Sequence, residues 1–279
     1  MMERKKLHRT AYMAVMWLVI LAVLLVTATY AWFTFNPATN VTPISSTISN
    51  GDAQLLISNN SNGTFAEKCT LVLDGTVDSL IPLSTADLSV FYRAKAQNRD
   101  GISILFAEVK DQINSSAMHG KVYLKCENED CDVYFYRSGL ELGGDAQTLA
   151  ALRLGMKIST VSGNHTYIFS LDSMGNTAAA AGRQTIAESG KVVSSVDSSG
   201  AASFVTDPAE SIGSYMASEQ GENDQKPEKG ERPLCTLKVD EVASVEYWLY
   251  LEGCDNNCIG EVQSKDVGMQ LAFAGVTEE

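Results

Sequence analysis

Apolar and polar side chains alternate with a period of two along three stretches of the chain. Leu152, Leu154, Met156 and Ile158 alternate with Arg153, Gly155, Lys157 and Ser159. Val245, Tyr247, Leu249 and Leu251 alternate with Glu246, Trp248 and Tyr250, and Val267, Met269, Leu271 and Phe273 with Gly268, Gln270, Ala272 and Ala274. This period gives a strand with one buried face. Strands are also predicted over Gln54–Ile57, Thr70–Leu73, Ser89–Arg93, Ile102–Val109, Lys121–Cys126, Val133–Arg137, Thr166–Leu171 and Cys235–Val239. Turn signals such as Asn62-Gly63, Asp74-Gly75 and Asp100-Gly101 separate them. Short strands so punctuated predict an all-β fold, a jelly-roll-like antiparallel β-sandwich. Helix is expected in two short places: an insert over Gly144–Leu152 capped by Asp145, and one turn at Thr85–Leu88.

The start of the chain has a different pattern. Arg4, Lys5, Lys6 and Arg9 precede an unbroken apolar run from Ala11 to Val26, and no charged residue follows Arg9 until Asp52. With Thr27 and Thr29 tolerated, the apolar stretch reaches Phe33, enough for an N-terminal hydrophobic helix that crosses a membrane, which takes about 20 residues. The basic cluster stays on the cytoplasmic side, so the rest of the chain is expected outside. Residues 1–31 therefore read as a signal peptide or an N-terminal membrane anchor. Cleavage by a signal peptidase between Ala31 and Trp32 follows a small-residue site; retention leaves the protein anchored in the membrane.

Residues 32–50 read as an extended arm, free of charge and interrupted by Pro37 and Pro43, which argue against a central strand there. Residues 51–279 read as a single β-sandwich domain interrupted at about 173–233 by a low-complexity acidic insertion. Within it, Asp207–Pro233 reads as a flexible acidic loop and Thr177–Phe204 as an insertion with at most a weak hairpin, since such small and polar side chains bury too little surface to offset ordering.

Charge and composition narrow the function. Lys and Arg number 21 against 34 Asp and Glu, a net charge of -13. So acidic a body repels phosphate backbones, and no basic stripe with aromatics appears, so no nucleic-acid partner is expected. Only three histidines are present, and His119 and His165 stand alone, 46 positions apart, in turn-like contexts. No zinc-peptidase helix motif, nucleophile elbow, phosphate loop or dinucleotide fingerprint occurs. No catalytic residue, metal ligand or cofactor is assigned. The acidic turns Glu127–Asp130 and Asp255–Asn257 could offer oxygen ligands to calcium, but they lack the calcium-loop pattern and read first as solvated.

The six cysteines all lie after the leader, as an exported protein with disulfides would have them. Cys126 and Cys131 bracket a polar turn and are placed to clip a hairpin; Cys254 and Cys258 bracket another. Cys69 and Cys235 are then left for each other. Free thiols and a zinc site remain alternatives, though the spacings do not match a zinc ribbon.

The segment Thr29-Tyr30-Ala31-Trp32-Phe33 resembles the leader junction of TasA/camelysin-like exported proteins of Bacillota, which carry a SipW-type signal peptide. Ser45–Ser58 is similar to the start of the mature domain in that family. Leu80–Ser84 and Tyr247–Asp255 look like segments of other exported proteins of these bacteria. The resemblance covers about a third of the chain. It implies a jelly-roll sandwich at the cell surface that assembles into extracellular matrix or fibres, with self-association or other surface proteins as partners. The long insertion and the six cysteines depart from the pattern, and the family's naming as metallopeptidases finds no motif here. A second expectation is a ligand- or glycan-binding module whose aromatic platform is Trp248, Tyr250 and Tyr136 on outward strand faces; the plainer one is that these rings cover a further layer.

Overall fold

A computed structural model describes residues 45–50, 54–75, 77, 79–97, 104–110, 113–137, 140–143, 146–171, 190–219, 227–258 and 267–277. The leader and the arm up to residue 44 lie outside the described residues, as do 172–189 and 220–226 within the insertion. The strands are β1 (Ser45–Asn50), β2 (Gln54–Ser58), β3 (Lys68–Thr70), β4 (Phe91–Gln97), β5 (Ile104–Val109), β6 (Met118–Glu127), β7 (Cys131–Phe135), β8 (Glu141–Gly143) and β9 (Leu152–Thr160). They continue as β10 (Gly163–Ser170), β11 (Lys191–Val196), β12 (Ala202–Thr206), β13 (Glu210–Ser211), β14 (Ser218–Glu219), β15 (Pro227–Glu228), β16 (Cys235–Leu237), β17 (Val242–Leu251) and β18 (Gly268–Thr277). Helix is confined to α1 (Ile113–Ser116), α2 (Ala146–Ala151) and a 3-10 turn at Ile212–Tyr215 among the described residues. The chain is all-β, and α2 falls inside the predicted insert.

Two six-stranded sheets form the body. Sheet one runs β16-β7-β18-β1-β3 with β8 paired to the start of β18; sheet two runs β13-β10-β9-β17-β6-β2. The inward positions predicted from alternation meet between them: Leu154, Met156 and Ile158 of β9 and Val245, Tyr247 and Leu249 of β17 share one apolar cluster with Met269, Leu271 and Phe273 of β18. Phe135 of β7 stacks on Phe273 beside it (5.8 Å between centroids) and meets Phe169 of sheet two edge-on at 5.3 Å. Rings in these arrangements contribute beyond the area they bury.

Gly120 of β6 lies opposite Tyr247, and a Cβ there would run into the Tyr247 hydroxyl and the Val72 carbonyl. Gly120→Ala is therefore expected to destabilise the fold by about 1–3 kcal/mol through overpacking, read as a lower midpoint in urea unfolding. An unchanged midpoint would show that Tyr247 moves aside freely.

Three expectations need correction. The last third of the arm is not free: β1 lies inside sheet one, parallel to β18 from Ser45↔Gln270 to Asn50↔Gly275 and antiparallel to β3. Both prolines precede it, so Ser45–Asn50 can offer main-chain groups on both edges. Next, Asp207–Pro233 is not simply a flexible loop. It supplies β13, the 3-10 turn, β14 and β15, and buries Ile212 and Tyr215 in the main core. Tyr215 donates to Glu210 at 2.8 Å, while Arg232 pairs with Glu210 and lies over the Tyr215 ring. A few well-placed anchors thus order a stretch whose average composition is polar. Finally, Thr85–Leu88 is not a helical turn. The Thr85 hydroxyl accepts from the Leu88 amide at 3.0 Å, a local bond that competes with helix, and Leu88 takes a φ of 59°.

The weak hairpin expected in the insertion forms as β11–β12, with Val192 and Val193 buried. It packs on the β4–β5 hairpin through Val193, Phe204, Phe106 and Tyr92. These two hairpins add a third layer over part of the outer face of sheet two.

Candidate functional site

That third layer decides the fate of the aromatic platform. Trp248 and Tyr250 do face outward from β17, but they are buried under Leu83, Leu88 and Phe91, and Tyr250 is edge-on to Phe91 at 5.6 Å. Tyr136 packs against the main core. The three rings are neither accessible together nor on one face, because an apolar cover removes them from water, as apolar burial favours. The plainer expectation holds.

His119, in a turn-like context by sequence, lies on β6 opposite Trp248 and stacks on that indole at 4.8 Å. Its Nε2 meets Glu246 at 2.9 Å, and its Nδ1 meets Asp74 and Asn114 at 3.1 Å each. The ring ties the turn at Asp74 and α1 to sheet two. His165 of β10 is exposed. The outward face beyond the cover is a polar groove of about 300 Å³, lined by Lys121, Lys157, Glu246 and Thr166 among others. Lys121, Glu246, Lys157 and Thr166 follow one another across four strands, an alternation of charge that cross-strand pairing favours.

The cysteines divide. Cys126 and Cys131 are disulfide-bonded across the β6–β7 turn, as their spacing suggests. Cys69 and Cys235 are free, and their pairing is ruled out by topology: they sit on β3 and β16, the two outer strands of sheet one, with three strands between them. At about 4.8 Å per strand that is far beyond disulfide reach. Cys254 and Cys258 are also free, with Cys254 packed into the third layer and Cys258 against the main core. Burial pushes the Cys254 and Cys235 thiols up to about 12, where they are poor nucleophiles. Denatured, non-reduced protein is expected to show four alkylatable thiols by mass spectrometry and six after reduction. Reduction should cost about 2 kcal/mol, the closure entropy of so short a loop, whose cysteines are 5 apart.

Sequence reasoning missed a buried charged centre where sheet two meets the third layer. Arg153 of β9 is 5% exposed. Its Nη2 donates to Asp255 at 2.7 Å and Asp207 at 3.1 Å, and its Nη1 to the Ala150 and Leu152 carbonyls at 2.8 and 3.0 Å. Burial opposes its charge, but Asp207 and Asp255 more than offset that, and its pKa is raised. Beside them Glu252, at the end of β17, is 1% exposed. Its Oε1 accepts from the Cys254 amide at 3.0 Å, its carboxyl also bonds Ser84, and its Oε2 has no partner. Burial drives its pKa up to about 8, against the pull of Ser84, the Cys254 amide and Arg153. One cation already faces two aspartates here, so a third negative charge is disfavoured.

The arrangement ties β9 to the turn after β17 and to the end of the β11–β12 hairpin. Among the described residues no group of His, Cys, Asp and Glu is placed to hold a metal ion. No protein-family model, curated protein or solved structure matches the chain.

Proposed function

We propose that this chain is an exported cell-surface structural protein, a matrix or fibre subunit of the TasA type on a jelly-roll sandwich, with no catalytic role. The sandwich topology supports the jelly-roll reading, since the chain crosses from sheet to sheet at β1–β2, β2–β3, β6–β7, β8–β9, β16–β17 and β17–β18. The basic, apolar leader supports export, by cleavage or as an anchor.

The observation that carries the assembly reading is the place of β1. The arm behind the leader delivers it into a slot between β18 and β3, held by main-chain pairing on both edges. A strand delivered by a terminal arm can enter the same slot of a neighbouring molecule and make the same main-chain bonds there. Head-to-tail exchange of this kind does not close, so it gives a filament. The absence of charge from residues 32–50 removes the usual protection against such pairing. The glycan-binding alternative loses its platform with the burial of Trp248 and Tyr250.

Negative-stain microscopy of the mature chain beginning at Trp32, over a range of concentrations, tests the reading. Filaments are expected from it and none from a chain lacking Trp32–Asn50. Monomers at every concentration, or filaments from the shortened chain, would overturn it.

A further inference from the structure

The carboxyl of Glu252 lies on a hydrogen-bonded path from sheet two to the β11–β12 hairpin. Its main chain is pinned to the sandwich, where the Glu252 amide donates to the Ala151 carbonyl at 2.8 Å and the Gly253 amide to the Leu83 carbonyl at 2.7 Å. Its carboxyl bonds the Ser84 hydroxyl, and that hydroxyl accepts the buried Val193 amide of β11 at 3.0 Å. Cys254, whose amide caps the same carboxyl, packs directly against Val193. The hairpin's second strand returns to the same place: Asp207, the residue after β12, is one of the two carboxylates on Arg153. The open end of the hairpin is therefore seated through both of its strands on a centre with one guanidinium, two aspartates and a third, buried carboxyl that keeps one oxygen unpartnered.

We propose that Glu252 is a pH-sensitive latch: the β11–β12 hairpin stays docked on the sandwich while this carboxyl is neutral, and lifts as it ionises. An ionised Glu252 leaves three carboxylates against Arg153 in a buried site, and the bonds from Ser84 and the Cys254 amide, which favour the charged form, do not make up for its lost hydration. Lifting the hairpin hydrates the carboxylate and relieves the excess charge.

The groups that face Glu252 are Ser84 from the segment before β4, Arg153 of β9, Asp207 after β12, Tyr250 of its own strand, and Cys254, Asp255 and Cys258 of the following turn. Burial pushes the Tyr250 phenol and both thiols upward, out of the neutral range. Glu252 has an ordinary value of 4.5 when hydrated and about 8 when docked. The stability of docking is thus fully present below about 4.5 and is lost as pH rises towards about 8, where the loss levels off.

Hydrogen exchange read by mass spectrometry between pH 5.5 and 9, corrected for the intrinsic pH dependence of exchange, tests the latch. Protection of the amides in Lys191–Val196 and Ala202–Thr206 is expected to fall about tenfold per pH unit up to about 8 and then to level off. In Glu252→Gln, and in Glu252→Met of similar volume, it should stay flat over the same range. Hairpin protection independent of pH in the natural sequence, while that of β17 falls, would overturn the proposal, because Glu252 would then be hydrated only on global unfolding. A fall in the neutral variants equal to that of the natural sequence would also overturn it. Should neither variant fold, the comparison of hairpin and β17 in the natural sequence decides alone.

Discussion

Arg153→Met is expected to destabilise the protein by about 3 kcal/mol or more, the larger of the effects a single side chain can have here. The methionine fills a similar volume, so the loss comes from charge. Asp207 and Asp255 have side chains only 18% and 16% exposed, and both lose their cation together. The Ala150 and Leu152 carbonyls lose their side-chain donor as well. Lysine does not substitute, because Nη1 serves two carbonyls and Nη2 two carboxylates, whereas an ammonium offers its donors from one atom. Urea unfolding measures the loss as a drop in midpoint with an unchanged slope. Adding Asp207→Asn and Asp255→Asn to Arg153→Met should recover part of it by removing the stranded charges. A loss below about 1 kcal/mol would mean that water reaches the aspartates and that the centre is a surface pair in all but position.

Why this centre escaped sequence reasoning is instructive about strands. Arg153 occupies an outward position of an alternating strand, and a charge there reads as solvated. Its partners lie 54 and 102 residues further on, one inside a stretch whose composition suggests disorder. Alternation says which face a side chain takes and nothing about what covers that face. The same gap misplaced Trp248 and Tyr250, since the second half of β17 is buried on both sides. Where burial alternates, as over Met156–Ser159 of β9, the period of two was sufficient to place the core residues. The Cys126–Cys131 bond was legible because a short turn fixes the distance, while Cys69 and Cys235 depended on strand order, which no local pattern encodes. In Asp207–Pro233, average polarity hid Ile212 and Tyr215, two side chains that anchor it in the core. Strand β1 was hidden most completely. Its serines and threonines carry no apolar period, and the two prolines before it drew attention to what the arm cannot do.

Thr47→Pro in that strand is the second large effect expected. Thr47 sits mid-strand, paired with Ala272 of β18 on one side and Lys68 of β3 on the other. A proline there has no amide to donate to the ladder and fixes φ near −65°, away from the values of about −120° to −140° that strands prefer. The cost spreads beyond the residue. β3 loses its ladder partner, and β18, whose inward residues Leu271 and Phe273 line the core, loses the cover along one edge. Backbone groups left unpaired there add about 1–3 kcal/mol each where water cannot reach them. Thr47→Val keeps the amide and strand propensity and should be close to neutral. Measured by urea unfolding and by hydrogen exchange in β18, the proline variant should be weakened and the valine variant not. The same pair separates the two roles open to the arm. If β1 links molecules by entering a neighbour's slot, Thr47→Pro abolishes filaments and Thr47→Val leaves them. If the arm is only a spacer lifting the domain from the membrane, filaments formed by the natural sequence would survive the proline wherever the domain still folds.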